Sequence, residues 1–236
     1  GKTFNTASGY DMWVIKTGSD GNKVAGDNTA DGGFGDLGTA GLYVYSTPTM
    51  NDAAYNAIQI SSGEYIVTGK SRTAANNDDM MVLKLTSKGV LETSFGTAGV
   101  AIFGGGLDES SKFIQETSDG GFIIVGNSFS NGSGQSDIYV VKTSDVGAKV
   151  WDTYIGNTRN DFANCVKQTS DGGFVIAGNS YTSSSDIMVV KISPNTQGEV
   201  EWNYTMDGSF DDVGNYINQT SDGGYIITGS TYTDTK

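Results

Sequence analysis

The chain has 236 residues, with 34 glycines, 2 prolines, 1 cysteine, no histidine and a formal net charge of −13. Histidine-dependent nucleophilic triads, zinc fingers and an intramolecular disulfide are therefore excluded, and nucleic-acid binding is disfavoured because no basic patch exists to neutralise phosphates. No apolar run approaches the roughly 20 residues of a membrane-spanning helix, and abundant Gly, Ser, Thr, Asn and Asp point to short strands joined by tight polar turns.

In chain order, GKTFNTASGYD at 1–11 reads as a loop, followed by a strand, DMWVIK at 11–16, and a second strand within FGDLGTAGLYVY at 34–45. A short strand then runs between Asp52 and Gln59, followed by SSGEYIVTG at 61–69, DMMVLK at 79–84 and LETSFGTAGVAIFGG at 91–105. Asp108 and Gln115 introduce TSDGGFIIVG at 117–126, DIYVVK at 137–142 and AKVWDTYIG at 148–156. Asp161 and Gln168 introduce TSDGGFVIAG at 169–178, DIMVVK at 186–191 and EVEWNYTMDG at 199–208. Asp212 and Gln219 introduce TSDGGYIITG at 220–229, and GSTYTDTK closes the chain.

The period, taken between Gly63, Gly120, Gly172 and Gly223, is 57, 52 and 51 residues. Each period holds four strands, a to d, without a helix, which is the size of a β-propeller blade. The expected fold is thus an all-β propeller in one domain. Its blades are 52–107, 108–160 and 161–211, with 1–51 supplying strands c and d and 212–236 strands a and b. If these two halves form one blade the ring has four blades, and otherwise the chain is a segment of a larger propeller. Strand b, apolar on both pleat faces, is expected inside, and Trp151 and Trp202 on strand d are expected to pack on the next blade. Asp-Gly-Gly supplies the left-handed backbone of the a–b hairpin.

The string DGG[FY]xxxG, then DxxVxK, then G…W resembles the repeats of secreted and cell-surface β-propellers in the broad quinoprotein-like group, and the SFGTAG units resemble very long bacterial repeat proteins. The resemblance covers essentially the whole chain and implies an extracellular or cell-surface setting. It implies no enzyme chemistry residue by residue, because the dehydrogenases of that group need a calcium-binding carboxylate set, a catalytic aspartate and usually a vicinal disulfide, the last of which one cysteine excludes. The turn at 143–151 resembles a sialidase Asp-box but carries an extra residue before Trp151, and Arg72 and Arg159 are the only arginines where sialidases need three.

The repeat aspartates Asp11, Asp79, Asp137 and Asp186 before strand c, and Asp52, Asp108, Asp161 and Asp212 before strand a, are expected to accept N–H bonds and fix loop corners. Calcium at these corners, helped by Asn77, Asp78 or Asp211, is the alternative, and no other cofactor is expected. The b–c loops vary while the a–b turns do not, so binding is assigned to Phe129, Tyr181 and Tyr232 with Asn77 and Asn131. Asn131, Asn203 and Asn218 stand in glycosylation sequons. Cys165, flanked by apolar residues, reads as a buried inert thiol. The expected function is a non-catalytic structural or adhesive module contacting a protein, a glycan or copies of itself. A carbohydrate-active enzyme using carboxylates and an architectural subunit of a surface filament or sheath are the alternatives.

Overall fold

The computed structural model describes residues 2–5, 9–20, 42–45, 51–72, 77–206 and 210–232. Every regular element among them is a strand, and each sheet is an antiparallel meander of strands consecutive in sequence. The chain divides into two compact units, Gly1–Phe103 and Gly104–Lys236.

The first unit contains β1 (Lys2–Asn5), β2 (Gly9–Ile15) and β3 (Leu42–Tyr45) in one sheet, and β4 (Asp52–Gln59), β5 (Tyr65–Arg72), β6 (Asp78–Leu85) and β7 (Val100–Phe103) in another. Met12 of β2 joins Val67, Met81, Leu83 and Leu85 in the core between the two sheets. The second unit contains two four-stranded sheets and a pair. These are β8 (Glu109–Glu116) to β11 (Lys149–Ile155) through β9 (Phe122–Ser128) and β10 (Asp137–Thr143), then β12 (Asp161–Gln168) to β15 (Val200–Met206) through β13 (Phe174–Tyr181) and β14 (Ser185–Ile192), then β16 (Asp212–Gln219) with β17 (Tyr225–Thr231).

These are the expected strands a to d, stacked within each unit as successive blade-like sheets. All residues of β9 and β10 are buried, as a strand covered on both faces requires. Trp151 of β11 packs on Phe174 of the next sheet, with ring centroids 6.0 Å apart, and Trp202 of β15 does the same with Tyr225 at 5.7 Å.

Three expectations need correction. Strand b continues past its terminal glycine, so Tyr181 belongs to β13 and residues 182–184 alone separate it from β14. For the same reason Lys2–Asn5 is not a loop but a strand paired with β2. Second, LETSFGTAG is not extended: Gly96, Ala98 and Gly99 adopt positive φ, Phe95 is buried, and strand d begins only at Val100. Third, Asp108 is exposed and precedes β8; Glu109 stands opposite Ser128 as Asp161 stands opposite Ser180, so the corner slot holds a glutamate. Residues 34–41, 73–76, 207–208 and 233–236, to which strand or loop was assigned above, lie outside the described residues.

The repeated sentence has a division of labour. Gly120, Gly172 and Gly223 adopt φ of 80°, 87° and 87°, a conformation that an L side chain disfavours. The preceding aspartate receives the hydroxyl of Thr117, Thr169 or Thr220 and the N–H of Gly121, Gly173 or Gly224. It also meets the lysine that ends strand c: Lys142 lies 2.9 Å from Asp119 Oδ2 and Lys191 lies 3.0 Å from Asp171 Oδ2. In the degraded copy, where Ser62 replaces the aspartate, Glu64 takes over and lies 2.7 Å from Lys84. The final glycine serves another purpose. Gly69, Gly126, Gly178 and Gly229 each stand opposite a β-bulge in strand a, and a Cβ on Gly126 would lie 1.9 Å from the Ser110 carbonyl oxygen.

The glutamine ending strand a ties sheets together. Gln168 Oε1 accepts Ser118 N–H of the preceding turn at 2.8 Å while its Nε2 donates to Gly172 O at 3.4 Å; Gln219 repeats both contacts with Ser170 and Gly223. Gln168→Ala is expected to cost about 1 kcal/mol and to speed amide exchange at Ser118 selectively, measured by hydrogen–deuterium exchange. Unchanged protection at Ser118 would contradict this role.

Candidate binding face

The end of each sheet carrying the b–c loop also carries the start of strand a, because Asp161, Ser180 and Asp186 lie side by side in the register. Strand b ends there in one recurring contact: the N–H of Phe129, Tyr181 and Tyr232 donates to the carbonyl of Asp108, Asn160 and Asp211 at 3.0, 2.8 and 2.9 Å. The three rings therefore occupy one position of three successive sheets in the second unit. They are 47%, 40% and 64% exposed; Phe129 and Tyr181 follow buried strand residues, whereas Tyr232 follows exposed ones. Asn131 is also exposed and donates Nδ2 to Tyr154 OH at 3.2 Å. Asn77 departs from the expectation: it is buried and donates to Asp79 Oδ1 at 3.2 Å, so it shapes a corner and offers no surface.

The corner aspartates Asp11, Asp52, Asp79, Asp137, Asp161, Asp186 and Asp212 are buried. Several hold the neighbouring loops: Asp137 Oδ2 accepts Gly134 N–H at 3.0 Å, Asp161 Oδ2 accepts Asn157 N–H at 2.7 Å, and Asp186 accepts the hydroxyls of Thr182 and Ser184 at 2.9 and 3.1 Å. Asp211 Oδ1 accepts Ser185 N–H at 2.9 Å. Asp137 and Asp161 converge beside Gly156, where an added Cβ would meet Asp137 Oδ1 at 2.0 Å and Asp161 Oδ2 at 2.7 Å. Burial, reinforced by the Asp137 charge, outweighs the hydrogen bonds to Asp161 and pushes its carboxyl above the usual range. No group of three or more acidic, His or Cys side chains suited to a metal gathers among the described residues.

In the first unit, Arg72 takes the place of the exposed ring, its N–H donating to Asn51 O at 3.0 Å. Its Nε lies 2.9 Å from Asp78, which also pairs with Lys70. Although burial opposes it, these two cations hold the Asp78 carboxyl below its ordinary value. Together with Tyr10, Asn51 and Asp52 they line a pocket of about 170 Å³. Lys70 and Tyr10 were not foreseen here because a lysine in a strand and a tyrosine before one carry no pattern of their own. Arg72, one of two arginines in the chain, was the available signal.

Cys165 is buried, and burial raises its thiol above the ordinary value. The sequon residues Asn131, Asn203 and Asn218 are all exposed. No helix among the described residues is long and apolar enough to cross a membrane. No protein-family model matches the chain, and neither does any curated protein.

Proposed function

We propose that the sheets are blades of the β-propeller type and that the chain is a non-catalytic, extracellular or cell-surface adhesive module. It contacts a glycan or protein through the loop end of its sheets. The observation that carries this reading is the recurrence of an exposed aromatic ring at one position of three successive sheets, Phe129, Tyr181 and Tyr232. Exposed rings on a rigid scaffold stack on sugar faces or anchor a partner chain at low entropic cost. Several weak contacts of equal chemistry add through multivalency.

The test is binding of the intact chain to an array of surface polysaccharides and extracellular matrix proteins. Retention by at least one ligand class is expected, weakened about tenfold or more by the combined Phe129→Ala, Tyr181→Ala and Tyr232→Ala substitutions. Undiminished retention by that folded variant would overturn the assignment of the face.

A further inference from the structure

We propose that the cavity lined by Tyr10, Asn51, Lys70, Arg72 and Asp78 is a binding site for an acidic sugar, a single uronic acid residue held by its carboxylate. The site lies wholly in the first unit, and its occupancy is independent of the rings of the second.

The repeat separates what the fold needs here from what it does not. Lys70 stands opposite Ala53 as Asn179 stands opposite Phe162, and Arg72 stands opposite Asp78 as Tyr181 stands opposite Ser185. In the second unit this corner is built from neutral groups: Asn179 Nδ2 donates to the Ser185 hydroxyl at 3.0 Å, and both residues are buried. In the first unit the same three positions hold Lys70, Arg72 and Asp78, and Asp78 pairs with both cations. Charges carry a desolvation cost that the neutral corner avoids, so folding alone does not account for them.

The neighbouring strand end differs in the same sense. Ser185 N–H donates to Asp211 Oδ1 at 2.9 Å, whereas the equivalent Tyr10 N–H donates to Asn51 Oδ1 at 3.0 Å. An amide thus stands where the second unit has a carboxylate, which removes a negative charge and adds the Nδ2 donor. The remaining acid of the lining, Asp52, is 1% exposed and belongs to the recurring corner, where Asp161 and Asp212 stand in other sheets.

The unused hydrogen-bonding capacity of Asn51 and Arg72 is on the donor side. Arg72 spends its backbone N–H on Asn51 O and its Nε on Asp78, and neither its two Nη groups nor Asn51 Nδ2 has a partner among the described residues. Two cations share the one carboxylate of Asp78, which leaves a positive charge over in the triad. The Lys70 and Arg72 side chains are 31% and 35% exposed and that of Asp78 6%, so the cations are the accessible part. A free guanidinium edge takes a planar carboxylate through two parallel hydrogen bonds. Tyr10, 42% exposed, supplies an aromatic wall for the ring that carries it. The cavity, about 170 Å³, is smaller than the roughly 300–1,000 Å³ of pockets for drug-sized ligands and suits one sugar ring.

Titration calorimetry of the intact chain with glucuronate, glucose and N-acetylglycine at low salt tests the site. Glucuronate is expected to bind with a Kd of about 1 mM or below, more weakly as salt rises, and the other two at least about tenfold more weakly than glucuronate. Arg72→Gln should weaken glucuronate at least about tenfold. The combined Lys70→Asn, Arg72→Tyr and Asp78→Ser substitutions, which copy the corner of β13 and β14, should abolish binding and leave the thermal unfolding temperature unchanged. A glucuronate Kd above about 10 mM overturns the proposal, as does equal binding of glucose or unchanged affinity in Arg72→Gln. Equal binding of N-acetylglycine would make the ligand a peptide carboxylate and overturn the sugar. A lowered unfolding temperature in the triple variant would mean that the charged corner serves folding, and would count against the site as well.

Discussion

Gly126→Ala is expected to destabilise the second unit by more than about 3 kcal/mol, whereas Gly120→Ala, six residues earlier in the same sentence, should cost only about 1–2 kcal/mol. The difference follows from what each glycine faces. Gly120 needs its φ of 80° but has open space around a new Cβ, so alanine there meets only backbone strain. A Cβ at Gly126 would lie 1.9 Å from Ser110 O and 2.7 Å from Ser111 Cα, both backbone atoms held by the β8–β9 ladder. They cannot rotate away as a side chain would, and relief requires opening the bulge between Ser111 and Phe113. Chemical denaturation of the two variants measures the order directly. Gly120→Ala proving the costlier would mean that the bulge relaxes freely, and the close approach would lose its explanatory role. Gly178→Ala, with Phe162 O at the same 1.9 Å, should repeat the result.

The second large effect concerns the ion pair between strand c and the a–b turn. Asp119→Asn should cost about 2 kcal/mol at neutral pH, and Lys142→Met no more than about 1 kcal/mol. The Lys142 side chain is 7% exposed and that of Asp119 63%. Replacing the carboxylate leaves a buried ammonium facing neutral acceptors, the new amide oxygen and Thr143 O at 2.9 Å, but removing the lysine leaves a carboxylate that water can solvate. At Asp119 burial works against ionisation, yet hydrogen bonds from Thr117, Lys142 and Gly121 overcome it and hold the carboxyl at about 2. At Asp171 the Thr169 hydroxyl contributes most to the same value, about 2. Both values lie below the ordinary aspartate range near 4, so their contribution is complete above that range and is lost as pH falls from about 4 to about 2. The double variant Asp119→Asn/Asp171→Asn should therefore start less stable and lose less across that window. Parallel acid titrations of the two proteins, followed by tryptophan fluorescence, would expose an error if the losses were equal.

The four-strand period was legible because each strand announces itself twice, by apolar content and by a fixed punctuation mark: Asp-Gly-Gly before strand b, Asp before strand c, Lys after it. The extent of strand b was not legible. Asn179, Ser180 and Tyr181 look like loop by composition, but a ladder bonds through backbone groups, and these three pair with β12 or β14 whatever their side chains are. The same blindness to register placed Asp108 where Glu109 belongs, since two acidic neighbours in sequence differ only in which one faces Ser128. At the binding face, Phe129, Tyr181 and Tyr232 were legible as aromatics at equal distances after the glycine pair. Burial of Asn77 depends on how its loop folds back on Asp79, which no local pattern encodes.

The exchange of Asp119 chemistry for that of Glu64 has a consequence for how such a chain can vary. In the first unit a carboxylate reaches Lys84 from the fifth turn position; in the second it reaches the lysine from the third. The two solutions are not interchangeable by single steps. At Gly121 a Cβ would already lie 2.2 Å from Thr143 O and 2.6 Å from Lys142 Nζ, so glutamate cannot enter while the aspartate turn stands. Losing the aspartate first strands the lysine. The two turn chemistries thus sit on separate peaks of a fitness landscape. A designer grafting one sheet into another scaffold must move the turn and its lysine strand together, as a single inherited cassette.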